Sequence, residues 1–559
     1  MKKILIATAW PYVNGKIHLG HVTGCLLPAD IFARYNRLIG NDVKFVSGSD
    51  MHGTPTAVLA QKEGKTPIEV ANHFHKLAQE TIRMYNISFD LYTSTATDNH
   101  KELVWEIFNR LKETGGIIEK ETEQTYCEKE EKFLPDRYVE GVCPKCGFTG
   151  ARGDQCDSCG SLLDPTDLIN PKCKTCGETP KRKLTKHMFL DLEKLSPALS
   201  KYVDSKKNIW KTNVFNSTES WISQGLIPRA ITRDMDYGIP VPLEGYEKKV
   251  IYVWMEALLG YLSAPKELGE EVYKKYWYDK TSEIYIFIGK DNIPFHTVIL
   301  PGLLLGLNDD KINLPTNIVS NEFLNLNNDK FSKSRNNFIE ADYIVSKYGT
   351  DIARAYLILI MPEYSDSNFT WENFEENING SLIDNLGNMV NRTLVFLKNI
   401  SKKNPNITES TFNNLSISKD IEKMINETYF NISEYLDGSA GNNLKKDDDD
   451  SKTKKISFSL AFKEIFILSK EANKYFDTKK PWKDDAPNQT IYDMIQIIFN
   501  IAIMLSIFLP ETKDRIFSLL GCESKTINGF EFQELKEIHI PDNIEVLFKK
   551  IDIDENIDI

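Results

Sequence analysis

Residues 3–21 read KILIATAWPYVNGKIHLGH, and this stretch decides the fold. Residues 3–8 form a short apolar run of strand type, Asn14-Gly15 marks a turn, and residues 17–35 carry helical periodicity. Strand, turn and helix in that order open an α/β layer. Residues 42–47 repeat the strand pattern and lead into GSDMHGT, a glycine-rich turn with acidic and imidazole groups where a parallel sheet presents its ligand edge. From about residue 116 the pattern dissolves into charged turns and a cysteine cluster, and strand character returns at residues 249–254 and 284–288. An insertion therefore splits the sheet domain. After about residue 350 the strand pattern nearly vanishes, and residues 381–397, 421–435, 457–476 and 491–508 carry helical periodicity, which predicts a helical bundle. Between two of these helices, GNNLKKDDDDSKTKK at 441–455 has no apolar period and reads as a connection.

The chain has 559 residues, 41% hydrophobic and 26% charged, which excludes both a single small module and a wholly disordered chain. Lys and Arg number 68 against 80 Asp and Glu, so any nucleic-acid contact must come from a local patch and not from a basic field. The N-terminal apolar run stops at Pro11 without a cleavage site, so no secretory signal is expected. Residues 494–509 are too short to span a membrane, and Asp493, Gln496 and Asn500 put a polar stripe on that helix. Six of the nine cysteines form three C-x-x-C pairs between 143 and 176, which reads as metal binding in a reducing, cytoplasmic compartment.

His18-Leu19-Gly20-His21 follows the first strand and turn, and chance would place such an H-x-G-H run in a chain of this composition only about 0.008 times. Two imidazoles one helical turn apart near a helix N-terminus can face charge developing on a phosphate, and glycine lets a nucleotide base approach the backbone. Lys330-Phe331-Ser332-Lys333-Ser334 lies in a polar stretch, where two lysines can neutralise a departing polyphosphate. Cys143, Cys146, Cys156 and Cys159 have the spacing of a four-thiolate structural zinc knuckle. Cys127, Cys173 and Cys176 offer a possible second site, with Glu130 at the position that would complete it.

HLGH and KFSKS, in this order and followed by a helical region, resemble the two signatures of class I aminoacyl-tRNA synthetases. AWPYVNGKIHLGH, GSDMHGT, FLPDRYVEGVCPKCG, YVWMEALLGY, GKDNIPFHT, DNLGNMVNR and KKPW, spread over nearly the whole chain, are most similar to the methionyl-tRNA synthetase family. That resemblance implies a Rossmann-like catalytic domain (1–115 and 249–325) split by a connective insertion with zinc knuckles (116–248). It further implies a KFSKS and stem-contact region (326–375) and an α-helical anticodon-binding bundle (376–559). The implied reaction joins L-methionine to AMP at the expense of ATP, with Mg2+, and moves the methionyl group to the 3′ end of tRNA(Met), initiator included.

By the same resemblance, His18, His21, Lys330 and Lys333 stabilise the reacting phosphate, and Gly20 and Ser332 help hold ATP. Asp50 meets the methionine ammonium. Tyr12, Trp254, Ala257, Leu258, Tyr261, Asn292 and His296 surround the thioether, and Trp10, Arg233 and Asp291 line the same site. Trp10 stands where many relatives have Leu, and Leu258 where some have Pro. Asn388, Arg392 and Trp482 read the anticodon, one or two structural zinc ions are bound, and a monomer is expected because a dimer-forming C-terminal module is not seen. Synthetases for Leu, Ile or Val carry a large editing domain that the 116–248 insertion does not accommodate. A smaller nucleotidylyltransferase has no need of the bundle, and an inactive tRNA-binding protein would have lost part of HLGH or KFSKS.

Overall fold

The structure is a computed structural model that describes all residues except 154, 155, 157, 160, 162, 331–337, 438–455, 485, 524 and 554–559, and the side chains of Asp136 and Lys330. The 441–455 connection of the sequence reading lies outside the described residues.

A five-stranded sheet forms the centre of the N-terminal half. Strands β1 (Lys3–Thr8), β2 (Asp42–Ser49) and β3 (Leu91–Ser94) come from the first part of the chain. The long antiparallel pair β4 (Ile117–Cys127) and β5 (Lys181–Leu190) frames the insertion, after which β6 (Ser282–Gly289) and β7 (Asn317–Asn321) rejoin the sheet. All neighbours in the sheet run parallel in the order β7-β6-β1-β2-β3, so the insertion interrupts the chain without interrupting the sheet. Strands buried on both faces need continuous apolar runs, and Ile4 to Ala7 and Ile286 to Ile288 supply them. Alternate residues face opposite cores. Leu5 and Ala7 join one core, and Ile4 and Ile6 join a second that continues without a break into the C-terminal bundle.

Helix α1 (Leu27–Leu38) follows β1 through a π-helical stretch, Val22–Leu26. Helix α2 (Thr212–Ser223) closes the insertion side, and α3 (Val253–Leu268) packs on the sheet. Here the structure corrects the strand expected at 249–254: only Val250–Ile251 is extended, and Trp254 lies in the first turn of α3. The apolar run is continuous because α3 is buried on most of its circumference, and a run of that kind does not distinguish strand from helix. Helix α4 (Thr350–Leu359) leads to the bundle, α5 (Asn388–Lys403), α6 (Lys419–Asp437), α7 (Phe458–Lys479), α8 (Asn488–Leu505) and α9 (Pro510–Leu519). No described helix is long and apolar enough to cross a membrane. The polar stripe of α8 is wholly buried. Asp493 accepts from Ser418 and Tyr475, while Gln496 and Asn500 exchange hydrogen bonds with the backbone of Leu535 and Gln533 in the extended C-terminal segment.

One buried charge joins three parts of the molecule. Arg354 on α4, 0% exposed, donates to the carbonyls of Tyr85 and Phe508 and, at 2.8 Å, to the carboxylate of Asp30 on α1. Burial would raise the Asp30 carboxyl, but Arg354 and Arg34 outweigh it and hold the group below its ordinary value. Removing one partner of a buried pair leaves the other charge uncompensated, at a cost of about 3–5 kcal/mol. Arg354→Met is therefore expected to lower the urea midpoint of the bundle and the sheet domain together, followed by circular dichroism. A wild-type midpoint would contradict this.

Candidate active site

The segments after β1, β6 and β7 meet at the carboxyl edge of the sheet around a cavity of about 400 Å³. Trp10, Tyr12, His18, Gly20, His21, Asp291 and Asn292 line it, together with Cys25, Glu322 and Phe323. His18 caps the turn Leu19–His21: its Nδ1 accepts from the Gly20 N–H at 3.1 Å, and His21 Nδ1 accepts from the His18 N–H at 3.3 Å. With both Nδ1 atoms used as acceptors, the neutral rings carry their protons on Nε2 and act as donors. The ring centroids are 3.9 Å apart. A Cβ at position 20 would lie 3.0 Å from the His18 ring, so glycine keeps that ring in place.

The flanks of the KFSKS segment are fixed beside this turn. Asp329–Lys330 pairs with residues 325 and 326, Ala341 N–H donates to the Ile17 carbonyl, and His18 bridges Glu340. Ser332 and Lys333 lie outside the described residues, as does the Lys330 side chain.

Asp50 continues the β1–β2 pairing past the strands, since its N–H donates to Pro11 and its carbonyl accepts from Val13. Its side chain is 3% exposed, and Oδ1 has no hydrogen-bond partner among the described residues. Burial, reinforced by the Glu256 carboxylate, pushes the Asp50 carboxyl well above its ordinary value. A cation brought to such a group would favour its charged form. Glu256 itself is held between His52 Nδ1 at 2.9 Å and His100 Nε2 at 2.8 Å. Sequence reasoning misses this His52-Glu256-His100 cluster; its one visible trace is a Glu inside the apolar run YVWMEALLGY.

Trp254, Ala257, Leu258 and Tyr261 fall on one face of α3, three to four residues apart. Trp254 Nε1 donates to Tyr12 Oη at 3.2 Å, and its ring lies 4.6 Å from Phe295. His296 Nδ1 bonds the Asn292 carbonyl at 2.8 Å, which leaves Nε2 to accept from Tyr261 Oη at 2.7 Å. Trp10 meets Tyr261 edge to face, and its ring fits only because positions 48 and 260 are glycine: a Cβ there would lie 2.4 and 2.6 Å from it. Arg233 stacks over Tyr252 at 3.8 Å, just outside this group.

In the insertion, the four sulfurs of Cys143, Cys146, Cys156 and Cys159 lie within 4.8 Å of one another, with Cys143–Cys159 at 3.9 Å and Cys146–Cys156 at 3.6 Å. A tetrahedron with metal–sulfur bonds of about 2.3 Å has edges of about 3.8 Å, so this donor set fits one ion. Gly147, with φ +76°, makes the turn that aims the first pair. Cys127, Cys173 and Cys176 form a three-sulfur group, which Glu130 does not join. The bundle brings Arg392 and Trp482 to the same ring: Arg392 lies over Phe476 at 5.4 Å, and Trp482, 49% exposed, is 6.0 Å from it. Asn388 is exposed one turn before Arg392 on α5.

A parallel-sheet cleft with paired imidazoles at its helical edge, a sulfur-rich insertion and a trailing bundle is the architecture of the class I aminoacyl-tRNA synthetases. A family model described as "tRNA synthetases class I (M)" matches residues 4–394. The methionine–tRNA ligase of Thermomicrobium roseum is 41% identical over 526 residues, covering 92% of this chain and 86% of that one. That of Bacillus cereus is 40% identical, covering 98% and 97%. In fold, the chain is similar to the Mycobacterium tuberculosis methionyl-tRNA synthetase solved with methionyl-adenylate, with a TM-score of 0.76 at 24% identity over 98% of this chain and 100% of that one. The chain belongs to the methionine–tRNA ligase family.

Burial lowers the His296 pKa from 6.5 to about 4, because the charged ring would lose its water. The folded state therefore binds fewer protons here than the unfolded state, and the resulting stability is full above pH 6.5 and lost as pH falls to about 4. In NMR of histidine labelled with nitrogen-15, His296 is expected to stay neutral down to about pH 5, keeping its acceptor for Tyr261. Titration near the ordinary histidine value would contradict this tautomer and the pocket built on it.

Proposed function

We propose that the cleft condenses L-methionine with ATP and passes the methionyl group to the 3′ end of tRNA(Met), including the initiator. The observation that supports this reading is the Asp50 carboxyl, buried beside Tyr12 with Oδ1 lacking a hydrogen-bond partner among the described residues, while His18 and His21 of HLGH line the adjoining cavity. An ammonium at Asp50 turns the amino-acid carboxylate toward His18 and His21. Its oxygen then forms a bond to the α-phosphorus of ATP, and the bond to pyrophosphate breaks. The Nε2–H donors of His18 and His21 face the charge gathering on the phosphate, and Gly20 leaves room for the adenine. Lys330 and Lys333 neutralise the leaving pyrophosphate, whose Mg2+ arrives with the nucleotide, and Ser332 helps hold ATP. Since these groups act by charge and position, no protein nucleophile takes part.

Tyr12, Trp254, Ala257, Leu258, Tyr261, Asn292 and His296, with Trp10, Arg233 and Asp291, shape the methionine pocket. Aromatic rings with a few polar tips suit a polarizable thioether. Cys143, Cys146, Cys156 and Cys159 hold a structural Zn2+, since four thiolates leave no position for a water nucleophile. Cys127, Cys173 and Cys176 offer three ligands to a second ion. Asn388, Arg392 and Trp482 read the anticodon, Trp482 by stacking on an unpaired base and the other two through its polar edge.

Two variants separate the two ends of the reaction. Lys333→Ala is expected to slow ATP–pyrophosphate exchange with methionine by roughly 10²-fold or more while direct methionine binding persists. Trp482→Ala should leave exchange within about two-fold and lower aminoacylation efficiency roughly 5- to 150-fold, the loss of one stacked base. Normal exchange in the first variant, or normal charging in the second, would overturn the corresponding assignment.

A further inference from the structure

Glu256 stands in the first turn of α3, 0% exposed, so no substrate reaches it. Its two oxygens are taken by imidazoles from other parts of the chain, Oε1 by His52 Nδ1 at 2.9 Å and Oε2 by His100 Nε2 at 2.8 Å. His100 belongs to the helix Asp98–Thr114, and its Nδ1 meets Ser263 Oγ on α3 at 2.8 Å. The same ring stacks against Trp10, a wall of the active-site cavity, at 6.3 Å. Burial would raise the Glu256 carboxyl, but the two imidazoles outweigh it and hold the group below its ordinary value. An apolar residue would fill the same volume at lower cost, so packing does not explain the charge.

His52 links this charge to Asp50. Its N–H turns toward the Asp50 carboxyl and favours the charged form, while its ring is held by Glu256. The residue between them is fixed on both sides. The Met51 N–H donates to Thr95 Oγ1 at 3.0 Å, and the Met51 carbonyl accepts from Tyr237 Oη at 2.9 Å. Glu256 also acts through space, since its charge disfavours a second charge on Asp50. The groups that face the pair from the other elements stay neutral at neutral pH. Burial pushes Tyr237 and Tyr261 above their ordinary range, pushes Cys25 up to about 12, and lowers His296, behind Tyr261, to about 4. An ammonium entering the pocket therefore meets two carboxyl groups, one in contact and one behind it, and its arrival favours ionisation of the first.

We propose that Glu256 is a positioning residue for the amino-acid site: through His52 it holds the turn that presents Asp50, and through space it sets a second negative charge behind the ammonium. The inference rests on the ligase reading and adds to it a group that no substrate touches. Holding the turn matters at every pH. The charge matters on the acid side, because a protonated Asp50 must lose its proton before it can pair with an ammonium. Methionine affinity therefore falls as pH is lowered, and the Glu256 charge places that fall at a higher pH than Asp50 alone would. A ligand with a hydroxyl in place of the amino group is blind to both effects.

The test titrates the full chain calorimetrically with L-methionine and with its hydroxy analogue between about pH 5 and about pH 8, and circular dichroism checks that each variant is folded. Glu256→Gln keeps the shape and removes the charge. The acid fall of methionine affinity is expected to move down by about one pH unit, with the hydroxy analogue within about two-fold of the unaltered chain. His52→Gln keeps the Glu256 charge and loses the ring that holds the turn. It should weaken methionine roughly 10-fold across the whole range, leave the acid fall where it was, and again spare the hydroxy analogue. An acid fall at the wild-type pH in folded Glu256→Gln, or losses of the same size for both ligands in either variant, would overturn the proposal. Wild-type methionine affinity in His52→Gln would do the same, and this arm decides alone if Glu256→Gln does not fold. Failure of the unaltered chain to bind L-methionine would overturn the ligase reading itself, and this inference with it.

Discussion

The parallel register of β1 between β2 and β6 is the constraint on which the rest of the site depends. Thr8 lies opposite Phe287, and Ala7 opposite Val46, so the chain leaves all three strands at one level. Residues 9–12, 48–52 and 289–292 therefore reach the same edge although up to about 280 positions separate them. A slip of one residue would turn Ile4 and Ile6 toward the opposite core, and both cores are packed with apolar side chains. The register is thus fixed by burial far from the cleft. The Asp50 carboxyl stays dry because its own backbone prolongs the pairing, bonded to Pro11 and Val13 on the neighbouring loop.

Buried ions hold the bundle against this edge. Arg354 ties α4 to Asp30 and to the Phe508 carbonyl, and a second cation makes a similar junction elsewhere. Lys211 donates to the Ser320 carbonyl, to Asn321 Oδ1 and to the Glu363 carbonyl, at 2.8 to 3.1 Å. Burial lowers its pKa to about 8. The Glu363 carboxylate in turn caps α7, accepting from Ser457, Phe458 and Ser459. Asn321 reaches back to the Thr23 carbonyl in the π-helical stretch behind HLGH. A charge without partners at any of these points would be costly, so each permits few alternative arrangements of sheet, insertion and bundle.

The parts of this design that are legible in the sequence are the local ones. HLGH, the cysteine pairs and the apolar runs of β1, β2 and β6 each carry their meaning within a few residues, because a cap, a knuckle turn and a doubly buried strand are short-range objects. Trp254 reads as strand in the sequence because α3 is buried nearly all round and shows no helical period. Glu256, His52 and His100 stay hidden for another reason. They lie far apart in the chain and meet only when α3 packs on the sheet. Arg354 and Lys211 look like ordinary surface cations in TDIARAYLIL and IWKTNVF, since nothing local reveals that a carbonyl from another domain waits for them. The polar stripe of α8 is visible, but not the extended segment around Gln533 and Leu535 that covers it.

We propose that the buried Asp50 carboxyl, whose Oδ1 has no partner among the described residues, selects an α-amino acid for the cleft. Calorimetric titration of the Asp50→Asn variant with L-methionine, and with the analogue in which hydroxyl replaces the amino group, tests it most directly. A loss of L-methionine affinity of roughly 100-fold or more is expected, the worth of a buried charge pair, with little change for the hydroxy analogue. Undiminished binding of L-methionine by Asp50→Asn would contradict it.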